Sequence, residues 1–425
     1  MKKSLLAFVL ITSLFFMWGL ANNMTDTLLA AFKRILSLTD FQTSFVQSAF
    51  YGAYFCLAIP AALLIKKFSY KTGILIGLGL FILGSLLFYP ASLTIEYSHF
   101  LIALFILAGG LSILETAANP YILELGPPET ATRRLNLAQS FNPLGSITGG
   151  LLSKYFILSN LNLATVEERT GMTSAQLKEI QSSELTAVMG PYVGVALVLL
   201  ILWVLIAITD MPKSKDTNEM HFGASVRRLM SNRNYVGAVV AQFFYVGAQI
   251  GIWSFTIRYV MVELQVNEDA AATYYIIALV IFLIGRFIFT FVMKYVAPAT
   301  LLCILSIIAG FLTLFAIVGS GMSGVIALML ISGCMSLMFP TIFGLGLQDV
   351  GVDSKLGGAG LIMAIVGGAV LTSLQGQISD MTGSINMAFL VPLCCFVIVA
   401  VYGYLAGKYP NNTQEINASS AQEII

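Results

Sequence analysis

The sequence predicts an all-α membrane protein of twelve transmembrane helices in two six-helix halves. Apolar runs of about 20 residues, the length that crosses a hydrocarbon core as a helix, recur along nearly all 425 residues. The chain is 58% hydrophobic and 10% charged, where a soluble domain carries about a quarter charged residues. A motif ending the fourth apolar run also returns near the end of the tenth, which points to duplication.

The first run opens Met1-Lys2-Lys3 like a signal peptide, yet it continues past Leu20 with no small-residue cleavage site, so it reads as a retained span over 5–31. Near its end stands Asn22-Asn23-Met24-Thr25-Asp26. Asn22 and Asp26 share a helix face, and Asn23 lies one turn from Asp26 on an adjoining face. Asp26 either meets water at the outer interface or serves a buried polar site.

The second and third spans are expected at 42–65 and 72–93, and the fourth at 99–121. The fourth holds Glu115 within Leu114-Glu-Thr-Ala-Ala-Asn-Pro120 and has no basic residue to pair it. An ionisable side chain inside a span costs roughly 2.5 to 3.5 kcal/mol on insertion scales, so it needs a reason. Asn119 stacks a second polar group on the same face, and Pro120 frees a backbone carbonyl. Low dielectric disfavours the charged form of a carboxyl group, and carboxyls that exchange a proton near neutral pH are the usual relays of membrane bundles.

The fifth span, 136–157, opens Asn136-Leu-Ala-Gln139-Ser-Phe-Asn142-Pro143, with amides at every third residue. An amide donates and accepts hydrogen bonds as a sugar hydroxyl does, so this ridge suits a polyol. Helix-to-helix hydrogen bonding is the competing reading. A sixth span is expected at 187–209. In the outer segment before it, Thr173-Ser-Ala-Gln176 is a capping-box pattern that predicts a short surface helix.

The stretch 210–234, with Lys213, Lys215, Arg227, Arg228 and Arg233, is a charged linker that divides the spans six and six. It gives halves over 1–209 and 235–407, and a polar tail over 408–425 expected to be disordered. Basic loops stay cytoplasmic. With both termini inside, Lys2, Lys3, Lys66, Lys67, Lys71, Arg133, Arg134, the five linker residues, Lys294, Lys355 and Lys408 are cytoplasmic, fifteen of 22. Lys33, Arg34, Lys154, Arg169, Lys178 and Arg258 fall outside.

Spans seven to twelve are expected at 235–257, 271–293, 300–319, 324–347, 356–378 and 384–406. In the seventh, Gln242, Tyr245, Gln249 and Trp253 trace one face. Amides with aromatics suit hydroxyls and the apolar face of a pyranose; helix packing with an interfacial Trp explains them as well. Arg286 reads as a structural partner or gate charge rather than a ligand contact. The methionines and the cysteines Cys56, Cys303, Cys334, Cys394 and Cys395 read as apolar filler. With only His99 and His221 beside them, they offer no metal-ligand spacing.

Pro120-Tyr-Ile-Leu-Glu-Leu-Gly126 matches Pro340-Thr-Ile-Phe-Gly-Leu-Gly346 at an offset of 220, and Gly149-Gly150 corresponds to Gly367-Gly368 after a two-residue slip. The glycine pairs also read simply as close helix contacts. Parallel six-span repeats are the arrangement of major-facilitator transporters, whose halves rock around a midplane site. At the repeat offset Glu115 aligns with Met335 and Asn119 with Phe339. The second half is therefore apolar and aromatic where the first is polar, which argues against a symmetric pore.

Asn22-Asn-Met-Thr-Asp26, Gln47-Ser-Ala-Phe-Tyr-Gly-Ala-Tyr54, Leu114-Glu-Thr-Ala-Ala-Asn-Pro120, Arg134-Leu-Asn-Leu-Ala-Gln-Ser-Phe-Asn142 and Ala241-Gln-Phe-Phe-Tyr-Val-Gly-Ala-Gln249 together closely resemble the bacterial L-fucose:proton symporter family of the major facilitator superfamily. The likeness covers nearly the whole chain. The inner loop Ala62-Leu-Leu-Ile-Lys-Lys-Phe-Ser-Tyr-Lys71 is only a degenerate form of the superfamily signature. The resemblance implies that Asp26 and Glu115 are proton-coupling carboxylates and that Asn23, Gln139 and Asn142 line a sugar cavity. Asn119, Gln242, Tyr245, Gln249 and Phe339 complete the candidate substrate-binding set. Phe339 departs from the family pattern, which has tyrosine there, and losing one hydroxyl from a buried site can shift selectivity substantially.

The expected function is import of a monosaccharide with a proton by alternating access. L-Fucose comes first, followed by galactose, glucose or N-acetylglucosamine. An exporter and a non-transporting sugar sensor are the rival readings. An enzyme would need a nucleophile and base or a metal set, which these residues do not supply, and no phosphate-binding Gly-x4-Gly-Lys-[Ser/Thr] loop occurs. No cofactor, metal or nucleic-acid partner is expected. The expected setting is a bacterial inner membrane, with one chain as the working unit.

Overall fold

The computed structural model describes residues 2–36, 40–157, 169, 171–212, 222–348 and 350–408. At 2, 3, 22, 25–34, 40–44, 47, 48, 154, 157, 187, 188 and 269 only the backbone is described. Among the described residues all regular structure is helical. The helices are α1 (Lys2–Ile35), α2 (Asp40–Lys67), α3 (Tyr70–Thr94), α4 (Tyr97–Glu124), α5 (Ala131–Gln139), α6 (Phe141–Leu152) and α7 (Ser174–Ile208). They continue with α8 (Phe222–Ser231), α9 (Arg233–Leu264), α10 (Glu268–Val292), α11 (Pro298–Val318), α12 (Gly321–Met335), α13 (Met338–Gly346), α14 (Ser354–Met363), α15 (Gly367–Thr382) and α16 (Leu390–Lys408).

Eleven helical stretches among the described residues are long and apolar enough to cross a membrane. Large apolar side chains on their outer faces, such as Ile208 at 75% and Phe311 at 70% exposure, form the kind of surface that only lipid or a partner covers. The remaining expected span, 136–157, departs from expectation because it is not one helix. It begins at Ala131, breaks at Ser140 between α5 and α6, and ends in a π turn over Ser153–Ile157. Proline removes the N–H that would bond the carbonyl four residues back and its ring crowds that carbonyl. Pro143 does this to Gln139, at the break.

The tenth span, expected unbroken over 324–347, divides between Met335 and Met338 for the same reason. Pro340 stands four residues after Ser336, and the carbonyls at the break find other donors. Tyr245 Oη donates to the Met335 carbonyl at 2.9 Å and Arg286 Nε to that of Ser336. The eleventh span tightens to a 3-10 turn over Ala364–Val366 just ahead of Gly367-Gly368.

The expected short surface helix before the sixth span is instead the start of α7. Thr173 caps α7 in a reciprocal capping box with Gln176, and the helix runs on because the residues that follow carry no glycine or proline before Gly190. Arg169, given no role by its sequence context, forms a two-pronged ion pair with Glu184 at 2.6 and 2.9 Å, both residues buried. At the other end of α7, Lys71 Nζ donates to the carbonyls of Ala207 and Thr209, each at 2.8 Å, where a cation meets the negative end of the helix dipole.

The linker region also carries more structure than expected. α8 lies within it, with Arg228 bound two-pronged to Asp353 at 2.7 Å, and Asn232 caps α9 by accepting from the Tyr235 amide at 3.1 Å. Lys213, Lys215 and the tail 409–425 lie outside the described residues.

The chain forms two compact units, Met1–Leu125 with Ala138–Lys215, and Gly126–Leu137 with Asp216–Ile425. In the first, α1 packs on α6 so closely that a Cβ at Gly19 would overlap the Asn142 carbonyl and one at Gly145 the Phe16 carbonyl. Gly149 likewise faces the Leu20 backbone. In the second unit, Gly367 meets the Phe243 carbonyl where α15 packs on α9. The two repeated glycine pairs thus do the same packing work, each letting a helix approach the main chain of the first helix of its own half.

Candidate functional site

In the first unit, polar side chains gather on the inner face of α4. Glu115 is 3% exposed. Its Oε1 accepts from Tyr54 Oη of α2 at 3.0 Å, and its Oε2 has no hydrogen-bond partner among the described residues. No ion pair to Glu115 occurs among the described residues. One turn along, Asn119 is fully buried; its Oδ1 accepts from Gln139 Nε2 of α5 at 2.8 Å, and its Nδ2 is unpartnered among the described residues. The Trp18 indole of α1 interacts with Tyr54 without closing a hydrogen bond. The cluster therefore offers a carboxyl oxygen, an amide N–H₂ and an indole N–H, a mix of acceptor and donors suited to hydroxyl groups and a proton.

These positions follow from local sequence. Glu115 and Asn119 stack because they are four apart on a continuous helix, and Ser112, one turn earlier, ties α4 to α2 by donating to the Tyr54 carbonyl at 3.2 Å. The helix break at Ser140 divides the expected amide ridge. Asn136 Nδ2 donates to Thr341 Oγ1 at 3.1 Å and to the Thr132 carbonyl at 3.0 Å within the second unit, so helix-to-helix bonding accounts for it. Asn23 is half-buried with Oδ1 beside Gly150. Asn142 is half-buried, its carbonyl accepting from Ser146 Oγ at 3.3 Å. The side chains of Asn22 and Asp26 lie outside the described residues.

In the second unit the candidates lie on α9 and α13. Gln242 is fully buried, with both amide atoms unpartnered among the described residues. Tyr245 is held by the Met335 carbonyl and stands 6.5 Å, ring to ring, from Phe339, which in turn stacks on Phe343 at 6.4 Å. Gln249 is half-buried. Trp253 Nε1 donates to Ser332 Oγ at 3.2 Å, and its ring meets Phe282 edge-on at 5.0 Å. Arg286 lies over the same Phe282 ring at 4.9 Å. Of the two readings of Arg286, structural partner is the one its contacts support. Sequence reasoning passed over Tyr54, Trp18 and Gln375. The last is fully buried beside Gly251, with neither amide atom partnered among the described residues, and in sequence it is one of several polar residues of that span, beside Thr372, Ser373 and Gln377.

The chain as a whole is similar to known membrane transporters. The profile of the Major Facilitator Superfamily matches residues 8–355. A relative from Haemophilus influenzae, the "L-fucose-proton symporter", is 42% identical over 96% of this chain and 98% of its own length. The "Glucose/galactose transporter" of Brucella abortus is 34% identical over 94% of this chain and 93% of its own. The crystal structure of the transporter FucP in the outward conformation superposes with a TM-score of 0.90 at 40% identity, covering 95% of this chain and 99% of that one.

Proposed function

We propose, for a multi-pass membrane chain that belongs to the Major Facilitator Superfamily, that it imports a monosaccharide together with a proton, and that the sugar is L-fucose. The observation that carries this reading is Glu115, a buried carboxyl that has, among the described residues, no cationic partner and one unpartnered oxygen, one turn from a buried amide pair. Such a carboxyl is stable in hydrocarbon when neutral and costly when charged. Glu115 takes up the proton, which couples protonation to sugar binding, and Asp26 exchanges it along the pathway. Neutralising the carboxyl lowers the cost of closing the site away from water.

Asn23, Asn119, Gln139 and Asn142 hold the sugar hydroxyls, and Gln242, Tyr245, Gln249 and Phe339 supply amide and aromatic contacts. The halves 1–209 and 235–407, joined by the linker 210–234, give access to each side in turn. The protein works as a single chain in a bacterial inner membrane with both termini in the cytoplasm. The likeness to a glucose/galactose transporter supports a second reading, symport of another hexose, and Phe339 in place of the family's tyrosine is the residue that favours it.

The test is the external pH of lightly buffered, de-energised vesicles on addition of single sugars. An alkaline shift with L-fucose is the expected result. A shift with galactose, glucose or N-acetylglucosamine alone transfers the reading to that sugar, and no shift with any of them, despite folded protein, overturns proton–sugar symport.

A further inference from the structure

We infer that Tyr54 is the positioning residue of the proton site: its hydroxyl, donating to Oε1 of Glu115 at 3.0 Å, orients the carboxyl so that Oε2 is the oxygen that takes and releases the proton. The inference rests on the reading of Glu115 as the coupling carboxyl.

Tyr54 is built in from several sides. It is 2% exposed, its carbonyl accepts from Ser112 Oγ at 3.2 Å, and its ring tilts against Phe50 at 5.2 Å. Thr116 Oγ1 in turn donates to the Ser112 carbonyl at 2.8 Å. The α2–α4 register is therefore pinned one turn before Glu115, and the phenol reaches forward to the carboxyl from a fixed base. A tyrosine hydroxyl held this way has one proton to donate, and Glu115 is its acceptor. The two Glu115 oxygens consequently differ among the described residues: one is occupied, the other open.

The chemistry follows from that difference. When Glu115 is charged, the phenol donates to the carboxylate. When a proton from water bonds to Oε2, Oε1 becomes the carbonyl oxygen of the acid and still accepts the same bond. Tyr54 keeps its own proton in both states, and the carboxyl need not rotate between them. Preorganisation of this kind removes the reorganisation that an unrestrained buried carboxyl would undergo at each cycle.

The experiment is infrared difference spectroscopy of the purified, lipid-reconstituted full chain between acid and alkaline pH, on wild type, Tyr54→Phe, Glu115→Gln and Ser112→Ala. Wild type is expected to show a protonated-carboxyl C=O band that Glu115→Gln abolishes. Tyr54→Phe should move that band to higher frequency, as loss of a donor to the carbonyl does, and Ser112→Ala should move it the same way by less. Ser112→Ala keeps the phenol, so the inference stays testable should the Phe variant not fold. In vesicles that accumulate labelled L-fucose, or whichever sugar gives the alkaline shift, Tyr54→Phe should lower pH-gradient-driven accumulation about tenfold, the order set by one buried hydrogen bond to a charged group. Sugar-for-sugar exchange at equal pH should be spared, and adding the change to Glu115→Gln should cost nothing more. A band lost in Glu115→Gln but unmoved in both other variants overturns the role of Tyr54 alone. Absence of any Glu115-dependent band in wild type overturns the coupling role of Glu115, and with it this inference.

Discussion

Gln139 Nε2 donates to Asn119 Oδ1 at 2.8 Å, joining two helices through amides twenty residues apart. Asn119 is fully buried and Gln139 5% exposed, so neither amide has water to fall back on. Gln139→Met keeps the volume but leaves a buried acceptor unmade, which costs about 1 to 3 kcal/mol. The expected outcome is a lower thermal midpoint for the purified variant and a rise of about tenfold in the KM for sugar. An unchanged KM with a lowered midpoint would leave the pair as helix-to-helix bonding only.

The break in the tenth span predicts a separate stability effect. Tyr245 and Arg286 donate to the carbonyls of Met335 and Ser336, which Pro340 and the break leave without helical partners. Tyr245→Phe or Arg286→Gln would each orphan a buried carbonyl, at about 1 to 3 kcal/mol apiece. Because the two carbonyls are adjacent, the double variant should depart from additivity. Thermal unfolding of the four proteins in detergent checks this, and midpoints that do not fall would remove the capping role.

The first half of the site was legible because polar residues are costly in an apolar run. Glu115, Asn119 and Gln139 stood out by type and spacing, and the structure brings the two amides together. Tyr54 was invisible, since a tyrosine in a span looks like aromatic filler and its partner lies 61 residues away. Gln375 was passed over because Thr372, Ser373 and Gln377 beside it left it no contrast in sequence. The helix breaks were half visible. Pro143 and Pro340 were in plain sight, but the consequence of a proline falls four residues back, at the carbonyls of Gln139 and Ser336, where nothing in the side chain signals a break. Asn136 continued a ridge on paper, but it bonds to Thr341 while Gln139, on the same α5, bonds to Asn119, and the break after Gln139 sets both apart from Asn142.

Glycine packing gives a paired prediction. A Cβ at Gly145 would overlap the Phe16 carbonyl, whereas one at Gly79 meets nothing within 4 Å. Gly145→Ala should therefore destabilise the first unit by about 1 to 3 kcal/mol, the range for overpacking where backbone cannot yield. Gly79→Ala, in the interior of α3, should leave stability unchanged or raise it by about 0.5 to 1 kcal/mol. Thermal midpoints measured side by side decide this, and equal effects would show that the α1–α6 approach is looser than its geometry.

Selectivity is expected to turn on Phe339. Its ring lies 6.5 Å from Tyr245 and 6.4 Å from Phe343 in an aromatic stretch, where the resemblance to the fucose symporters implies a tyrosine. A site with a buried hydroxyl penalises a sugar that cannot pair with it, and one without it discriminates weakly between sugars that differ there. Phe339→Tyr adds an oxygen at a half-buried position, so the fold should tolerate it. One hydrogen bond of about 1 to 1.5 kcal/mol should raise the preference for L-fucose over glucose by about tenfold, read as the ratio of the two kcat/KM values in vesicles. A ratio that does not move would place a hydroxyl at this position outside sugar recognition and shift attention to Gln242, whose buried amide has neither atom partnered among the described residues.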